Sequence, residues 1–92
     1  TVLAADQQAL SERFANRPVG ADHRLEGLET ETLVTGAPLI KGGLAGLDCR
    51  VSKMIPVGMN TLFVGEVVAV SGGRDGAQPL VYHDRGYRRL QE

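Results

Sequence analysis

The sequence feature that most constrains the fold is a two-residue alternation of apolar and polar side chains between positions 47 and 57. The apolar positions in this stretch are Leu47, Cys49, Val51, Ile55 and Val57. Successive side chains of a β-strand point to opposite faces, so the alternation predicts a strand with one buried face and one mostly wet face, the latter carrying Asp48. Lys53 interrupts the apolar series and predicts a β-bulge or a strand end.

The run that follows, Leu62–Val70, is apolar at nearly every position. Such a run predicts a strand that is buried on both faces, as inside a barrel, and we expect Phe63 to be a core residue there and Cys49 to be one on the preceding strand. Glu66 is the exception, and it faces solvent, an arginine partner or a subunit interface. Pro, Gly and Asn residues at positions 56–60 predict a turn between the two strands.

The N-terminal side of the chain predicts a helix. Asp6 is a good N-cap, because its carboxylate can accept a hydrogen bond from an unpaired N–H of the first turn, and the helix is expected over Gln7–Ala15. Leu10 and Phe14 lie one helical turn apart and share the face that packs inward. A Pro and a Gly at positions 18–20 predict the end of this helix.

The C-terminal side predicts a second hairpin. Pro79–Tyr82 and Tyr87–Leu90 have strand patterns and are joined by a turn at Asp84–Gly86, after an exposed glycine-rich loop. Residues 21–36 carry no pattern that decides between short pieces of helix and strand. The chain therefore predicts a single domain over residues 1–92 of the mainly β class, a β-barrel with one or two short helices, since barrel closure removes exposed strand edges.

Composition excludes several classes of function. The chain has 92 residues and a net charge of −1, which gives no general electrostatic reason to bind nucleic acid or an anionic membrane. No apolar run approaches the roughly 20 residues of a membrane-spanning helix. Cys49 is the single cysteine, so it forms no intrachain disulfide and fits a cytoplasmic location. One Cys with two distant His residues predicts no metal site.

The sequence also lacks the signatures of nucleophilic hydrolysis and of a phosphate-binding loop. No Gly-x-Ser-x-Gly motif is present. Gly42–Gly46 is rich in glycine, but it lacks the Lys and the hydroxyl of a phosphate-binding loop and is followed by a strand pattern, so we interpret it as a tight turn. Arg85, Arg88 and Arg89 around Tyr87 form a basic cluster that either remains solvated or contacts a phosphate or carboxylate.

Four blocks, taken in order, give the chain a resemblance to a known family. They are Val2–Ala15, Gly36–Ile40 with Leu44–Val51, Thr61–Val67, and Pro79–Tyr82 with Gly86–Leu90. In this order they resemble the C-terminal portion of the flavin reductase-like domain. The resemblance implies an FMN-binding split barrel that normally forms a homodimer. Because the chain starts at Thr1 within a strand pattern, we expect it to be a segment of a longer protein, with the barrel incomplete at the N-terminus.

The resemblance also implies a function. The family reduces FMN or FAD with NADH or NADPH and often passes the reduced flavin to a partner monooxygenase. The chain is therefore expected to belong to an NAD(P)H-dependent flavin reductase, and the segment by itself is expected to be inactive. The cofactors supply the reactivity while the protein holds two flat rings face to face, so no catalytic side chain is expected.

Residues that bind cofactor follow from the same resemblance. The strand-to-helix turn that approaches the flavin, with one helix residue packing near it, corresponds to Leu3, Ala4, Ala5, Asp6, Gln7 and Phe14. The hairpin that approaches the nicotinamide nucleotide corresponds to Tyr82, His83, Arg85, Gly86 and Tyr87.

One departure from the family pattern leaves an alternative open. Many members have Gly-Asp-His before the signature strand, where this chain has Gly58-Met59-Asn60. Asn60 can form hydrogen bonds to a cofactor, but it does not change protonation near neutral pH as His does. This departure motivates the alternative of a non-catalytic flavin- or haem-binding split barrel or a dimerisation module.

Overall fold

The computed structural model describes residues 1–16 and 24–90. A 3₁₀ turn and a helix are followed by six strands in three antiparallel ladders, β1 with β2, β3 with β4, and β5 with β6. The elements are the 3₁₀ turn Ala5–Gln7, α1 Gln8–Ala15, β1 Thr30–Glu31, β2 Leu39–Ile40, β3 Ala45–Val57, β4 Asn60–Gly72, β5 Val81–His83 and β6 Gly86–Arg88. The predicted helix end at positions 18–20 lies outside the described residues. None of the helices in the described part is long and apolar enough to cross a membrane.

An extended N-terminal segment, Thr1–Ala5, joins two of the ladders. On one edge the Val2 N–H donates to the Ala45 carbonyl, and the Leu44 N–H donates to the Val2 carbonyl, both at 2.8 Å. On the other edge the Ala5 N–H donates to the carbonyl of Gln78 at 2.8 Å, and the Leu80 N–H donates to that of Leu3 at 3.0 Å. The segment therefore pairs with backbone on both sides, and Ala4 at its centre is only 1% exposed.

The entry into α1 differs from the prediction that Asp6 is the N-cap, which is wrong. The chain first makes the 3₁₀ turn, in which the Ala4 N–H donates to Oε1 of Gln7 and the Gln7 N–H donates to the Ala4 carbonyl, both at 2.9 Å. The Gln7 amide thus satisfies the backbone N–H that opens the turn. The carboxylate of Asp6 is left to bind elsewhere, to Arg74.

The longest elements are the 13-residue strands β3 and β4, which form one hairpin. The turn is Gly58-Met59, as predicted for positions 56–60, and Gly58 has φ +60° at the first turn position, where type II′ turns favour glycine. The ladder register shifts between Val51 and Lys53, which confirms the bulge indicated by Lys53. A second shift follows Asp48. Bulges of this kind increase the local twist of a hairpin.

The predicted burial of this hairpin is wrong for the chain by itself. Phe63 is 59% exposed, Cys49 is exposed, and neither β3 nor β4 hides its apolar face. Within the described ranges these strands form a two-stranded ladder, which leaves both faces uncovered along most of its length. The large apolar side chains that remain exposed on it are Leu47, Val51, Met54, Ile55, Val57, Leu62, Phe63, Val64, Val67 and Val70.

Asp48 reverses the predicted pattern, because it is 1% exposed although it was expected on the wet face. Its carboxylate accepts hydrogen bonds from the N–H groups of Val34 and Thr35, at 2.8 and 2.9 Å, and from the Thr35 hydroxyl. The Thr35 hydroxyl and backbone bonds, followed by that from Val34 and the charge of Arg50, lower the pKa of Asp48 below its ordinary value. Asp48 therefore ties the loop before β2 to β3.

Two glycine-rich loops meet beside the N-terminal segment. The Arg74 N–H donates to the Gly43 carbonyl at 3.0 Å. A Cβ on Gly73 would lie 2.2 Å from that carbonyl oxygen, and a Cβ on Gly43 would lie 2.5 Å from the Val2 carbonyl oxygen. A Cβ on Gly72, in contrast, would meet no atom within 4 Å. The tight turn predicted for Gly42–Gly46 is thus a place where backbones approach too closely for any side chain.

We predict that Asp48 makes the protein less stable in acid. Its folded-state pKa is below the ordinary value of 3.8, so its ionised form stabilises the fold above that pH, and the contribution is lost as the pH falls through the folded-state pKa. Asp48→Asn should therefore unfold at lower urea concentration than the unsubstituted protein at about pH 6, and the difference should shrink towards about pH 3. Far-UV circular dichroism during urea titration measures both midpoints.

The control for this prediction is Asp75→Asn, which removes an exposed carboxylate from a loop. Equal losses in the two variants at every pH would contradict the assignment of acid sensitivity to the buried carboxylate.

Candidate functional site

The C-terminal hairpin is fastened to α1 through two tyrosines. Tyr82 on β5 pairs with Tyr87 on β6, and their ring centroids lie 5.1 Å apart at an interplanar angle of 65°, an edge-to-face contact. The Tyr87 hydroxyl donates a hydrogen bond to Oγ of Ser11 on α1 at 2.9 Å. The hairpin that the resemblance assigns to the nicotinamide nucleotide is therefore a neighbour of α1, the helix that carries Phe14.

The turn of this hairpin is strained. Asp84 and Arg85 have φ angles of +52° and +62°, a left-handed conformation that type I′ turns require at both central positions. Residues with a Cβ adopt this region at a cost of about 1–2 kcal/mol each. The strained pair places Arg85 at the exposed tip of the hairpin, between His83 and Gly86.

An open cavity of about 450 Å³ lies between α1 and the C-terminal hairpin. We call it the helix–hairpin cavity. It is lined by Ser11, Glu12, Ala15, Asn16, Tyr82 and Tyr87. Its walls combine two aromatic rings with a hydroxyl, a carboxylate and a carboxamide, so it can accept a flat ligand that carries polar edges.

A second cavity of about 450 Å³ lies on the other side of α1 and is more apolar. We call it the helix–strand cavity. Its lining consists of Thr1, Leu3, Leu10, Ser11, Phe14, Leu25, Pro38 and Ile40. Leu10 and Phe14 share this lining, as their helical spacing predicted. Ser11 lines both cavities, so the two cavities adjoin at this residue of α1.

A bidentate ion pair closes the start of the helix against the loop after β4. Nη1 and Nη2 of Arg74 donate to the two carboxylate oxygens of Asp6 at 2.9 and 2.7 Å. The hydrogen bonds and the charge of Arg74 lower the pKa of Asp6, and those of Asp6 raise the pKa of Arg74. Both side chains remain partly exposed. A small cavity of about 210 Å³ next to the pair is also lined by Ala4, Ala5 and Arg89, which adds a second cation.

The structure brings most of the sequence-predicted site residues into one region. Leu3 and Phe14 line the helix–strand cavity, Ala4, Ala5 and Asp6 line the small cavity, and Tyr82 and Tyr87 line the helix–hairpin cavity. The side chain of Gln7 is used within the fold, since its Oε1 accepts from Ala4 and its Nε2 donates to the carbonyl of Lys41 at 3.2 Å. His83, Arg85 and Gly86 form the hairpin tip.

Asn60 is the predicted residue that the structure separates from the others. It pairs with Val57 at the turn of the long hairpin, whereas Ala45, at the start of β3, pairs with the N-terminal segment. A strand of 13 residues corresponds to about 40 Å of extended chain. Asn60 therefore lies at the far end of β3–β4 from the cavities of the same chain.

Sequence reasoning missed several residues of this region. The sequence pattern predicts an exposed loop at Arg74 and a helix at Ser11 and Glu12, and it assigns no role to Asn16. No local pattern could have identified them, because the Arg74–Asp6 and Tyr87–Ser11 contacts join residues 68 and 76 positions apart. Among the described residues no group of three or more His, Cys, Asp or Glu side chains could hold a metal ion.

Comparison with known proteins gives a consistent result. The sequence model of the family "Flavin reductase like domain" matches residues 1–91. The chain is 41% identical over 90 residues to the reductase component of 4-hydroxyphenylacetate 3-monooxygenase from Thermus thermophilus, which covers 98% of this chain and 52% of that protein. It is 37% identical to an FMN reductase (NADH) from Ancylobacter novellus, covering 96% of this chain and 48% of that protein.

A solved structure agrees with these relatives. The NADH:FAD oxidoreductase of Streptomyces globisporus superimposes with a TM-score of 0.86 at 28% identity, covering 100% of this chain and 55% of that one. The same protein in complex with NAD and FAD fragments gives a TM-score of 0.84. The chain thus spans about half the length of the proteins it matches.

These likenesses confirm the predicted fold class. The described residues are mostly strand with one short helix, and the structural neighbours are flavin reductases of the split-barrel fold. The relatives are named as reductases, so the non-catalytic alternative suggested by Asn60 is not favoured. Glu66 lies opposite Arg50 in the ladder and both are exposed, an arrangement that fits two of the three alternatives left open for it.

We predict that the Tyr87 hydroxyl stabilises the junction between hairpin and helix. Tyr87→Phe removes the bond to Ser11 and should lower the free energy of unfolding by about 1 kcal/mol. Ser11→Ala should have a similar effect, and the double variant should lose little more than either single one, because both delete the same bond. Urea unfolding followed by circular dichroism gives these values.

Tyr82→Phe is the matched control, since the Tyr82 side chain is 63% exposed. It should unfold like the unsubstituted protein. Additive losses in the Tyr87 and Ser11 double variant would show that the two side chains do not interact.

Proposed function

The chain belongs to the flavin reductase-like domain family, and we propose that its protein uses NADH or NADPH to reduce FMN or FAD. The observation that carries the proposal is the match of the family model over residues 1–91, onto a structure in which the helix that follows the strand-to-helix turn contacts the C-terminal hairpin. We further propose that reduced flavin is passed to a partner monooxygenase in the cytoplasm. The transfer to a monooxygenase is supported by the Thermus relative, which is named as a monooxygenase component. The cytoplasmic location is supported by Cys49, the single cysteine of the sequence, which is free.

The residues present fit a flavin. The helix–strand cavity has a volume of about 450 Å³, which falls in the range of roughly 300–1,000 Å³ typical of ligand sites. Leu3 and Phe14 supply apolar surface for a flat ring, and the Ser11 hydroxyl, which accepts a hydrogen bond from Tyr87, can still donate one. We assign the flavin to this side, with the strand-to-helix turn Ala4, Ala5, Asp6 and Gln7 following Leu3 of the cavity wall, and with Ala5 as a small side chain beside the backbone of that turn.

The C-terminal hairpin is the proposed contact for the nicotinamide nucleotide. Tyr82 and Tyr87 offer aromatic surface, and Arg85 stands at a strained, exposed tip where a guanidinium can pair with a phosphate. When bound, the nicotinamide nucleotide and the flavin supply the hydride donor and acceptor. The protein contributes binding, orientation and exclusion of water, which requires no acid or base among the described side chains.

We predict that the full-length protein oxidises NADH or NADPH only when flavin is added. The loss of absorbance at 340 nm measures the reaction with each nucleotide and with FMN or FAD, and a reaction without flavin is the control. Phe14→Ala should raise KM for flavin about 5-fold or more, because it removes an aromatic surface. Val34→Ala, in an exposed loop, should leave KM unchanged. A flat trace for all four combinations of nucleotide and flavin would contradict the proposed function.

We also propose that the protein is a homodimer that uses the β3–β4 hairpin. A two-stranded hairpin is marginally stable alone, and this one exposes large apolar side chains on both faces. A second copy can cover part of that surface. Because Asn60 lies far from the cavities of its own chain, we propose that its predicted contact with a cofactor is made across the dimer.

The dimer is tested by analytical ultracentrifugation of the full-length protein. Phe63→Glu places a charge on the hairpin face and should weaken association by at least about 10-fold. Val34→Glu is a matched control, because Val34 is 57% exposed and Phe63 is 59% exposed, but Val34 lies outside the hairpin. A monomeric unsubstituted protein at micromolar concentration would rule out the dimer.

A further inference from the structure

We propose that the helix–hairpin cavity is an adenine subsite, in which the purine of an adenine nucleotide stacks on Tyr82 and is read by Asn16 and Glu12. The inference rests on the proposed function, because it assigns one part of a cofactor to one cavity. It goes beyond that function by naming the half of the nucleotide that this cavity takes and by adding Glu12 of α1 and the C-cap residue Asn16 to the site.

The first support is a rigid aromatic platform. Tyr82 is 63% exposed, an unusual state for a large ring that is nonetheless held in place. Its ring packs edge to face with Tyr87 at 5.1 Å, and Tyr87 is in turn fixed to Ser11 by a hydrogen bond. A ring that is ordered before binding loses little entropy when a base stacks on it. Tyr82 is therefore a preorganised stacking surface.

The second support is the set of polar groups that line the same cavity as the ring. Glu12 lies on α1 and Asn16 is the C-cap that follows it, with the Asn16 N–H bonded to the Glu12 carbonyl at 3.0 Å, and both residues line the cavity with Tyr82. Adenine presents an amino group that donates hydrogen bonds next to a ring nitrogen that accepts them. A carboxamide matches both groups at once, and a carboxylate accepts from the amine. Oε1 of Glu12 accepts from Nε2 of Gln8 at 3.0 Å, which orients that carboxylate.

The third support is the arrangement of charge around the cavity. The hairpin that provides Tyr82 also carries Arg85 and Arg88, both exposed, which suit the phosphates attached to an adenosine. Glu12, at the cavity wall itself, disfavours a phosphate or carboxylate inside the cavity. The cavity thus favours a neutral flat base with the negative charge outside, as in an adenine nucleotide.

Kinetics of the full-length protein test the platform and identify the source of the adenine. With FMN as the flavin, only NADH or NADPH carries adenine, and Tyr82→Ala should raise KM for the nucleotide by about 5- to 100-fold with little change in kcat. Tyr82→Phe keeps the ring and should restore KM. If the adenine belongs to FAD instead, Tyr82→Ala raises KM for FAD and leaves those for FMN and the nicotinamide nucleotide unchanged.

Ligand binding tests whether Asn16 and Glu12 recognise the adenine base, and it does not depend on enzyme activity. In calorimetry, adenosine monophosphate should bind with an affinity about 5-fold or more higher than that of inosine monophosphate. Inosine monophosphate carries a carbonyl in place of the amine. Asn16→Ala with Glu12→Ala should remove that preference. Leu90→Ala, an exposed residue at the end of the same hairpin that does not line the cavity, should keep it.

The outcomes separate this inference from the proposed function. If flavin-dependent oxidation is normal while Tyr82→Ala changes no KM and adenosine monophosphate does not bind, the adenine subsite is wrong and the reductase assignment stands. If no flavin-dependent oxidation occurs, the proposed function fails, and adenosine monophosphate binding still decides whether the cavity takes adenine. Equal binding of the two monophosphates would overturn the roles of Asn16 and Glu12.

Discussion

The described structure depends on one short piece of extended backbone. The Thr1–Ala5 segment donates and accepts hydrogen bonds on both edges, to the start of β3 on one side and to the residues before β5 on the other. Without it, the long hairpin and the C-terminal hairpin would be separate two-stranded ladders, which are marginal in water. The same segment also leads directly into α1. Its pairing therefore fixes the position of the helix relative to both hairpins.

The arrangement of the cavities follows from that pairing. Because α1 starts where the segment ends, one side of the helix faces β2 and the other faces β5–β6, and Ser11 borders a cavity on each side. The long-range contacts of Asp6 with Arg74 and of Tyr87 with Ser11 then hold the neighbouring loop and hairpin in place. In the proposed reductase, hydride transfer requires the flavin and nicotinamide rings to lie face to face, so a fixed position of the helix relative to the hairpin helps to set that geometry of approach.

Sequence patterns predicted the elements well and their surroundings less well. Alternation over positions 47–57 identified β3, Lys53 marked a bulge, and the glycine of the following turn was found where expected. The predictions of burial were wrong at Phe63 and Asp48. A two-residue period indicates that a strand has two different faces, but it does not indicate what covers each face. The prediction of an N-cap at Asp6 was wrong for a related reason. A carboxylate can cap a helix or pair with a distant Arg74, and only the folded chain decides between them.

The contact between the two glycine-rich loops makes neighbouring positions unequal in how they can diverge. At Gly73 a hydrogen atom already fills the space before the Gly43 carbonyl, so any larger group must push one loop away and loosen the backbone that pairs with Val2. At Gly72 a methyl group would meet open space. Gly72 and Gly73 are adjacent in the chain, but they differ in whether a substitution can be accommodated. Gly73 must remain glycine for the loop to keep its place beside the N-terminal segment, whereas Gly72 has space for a side chain.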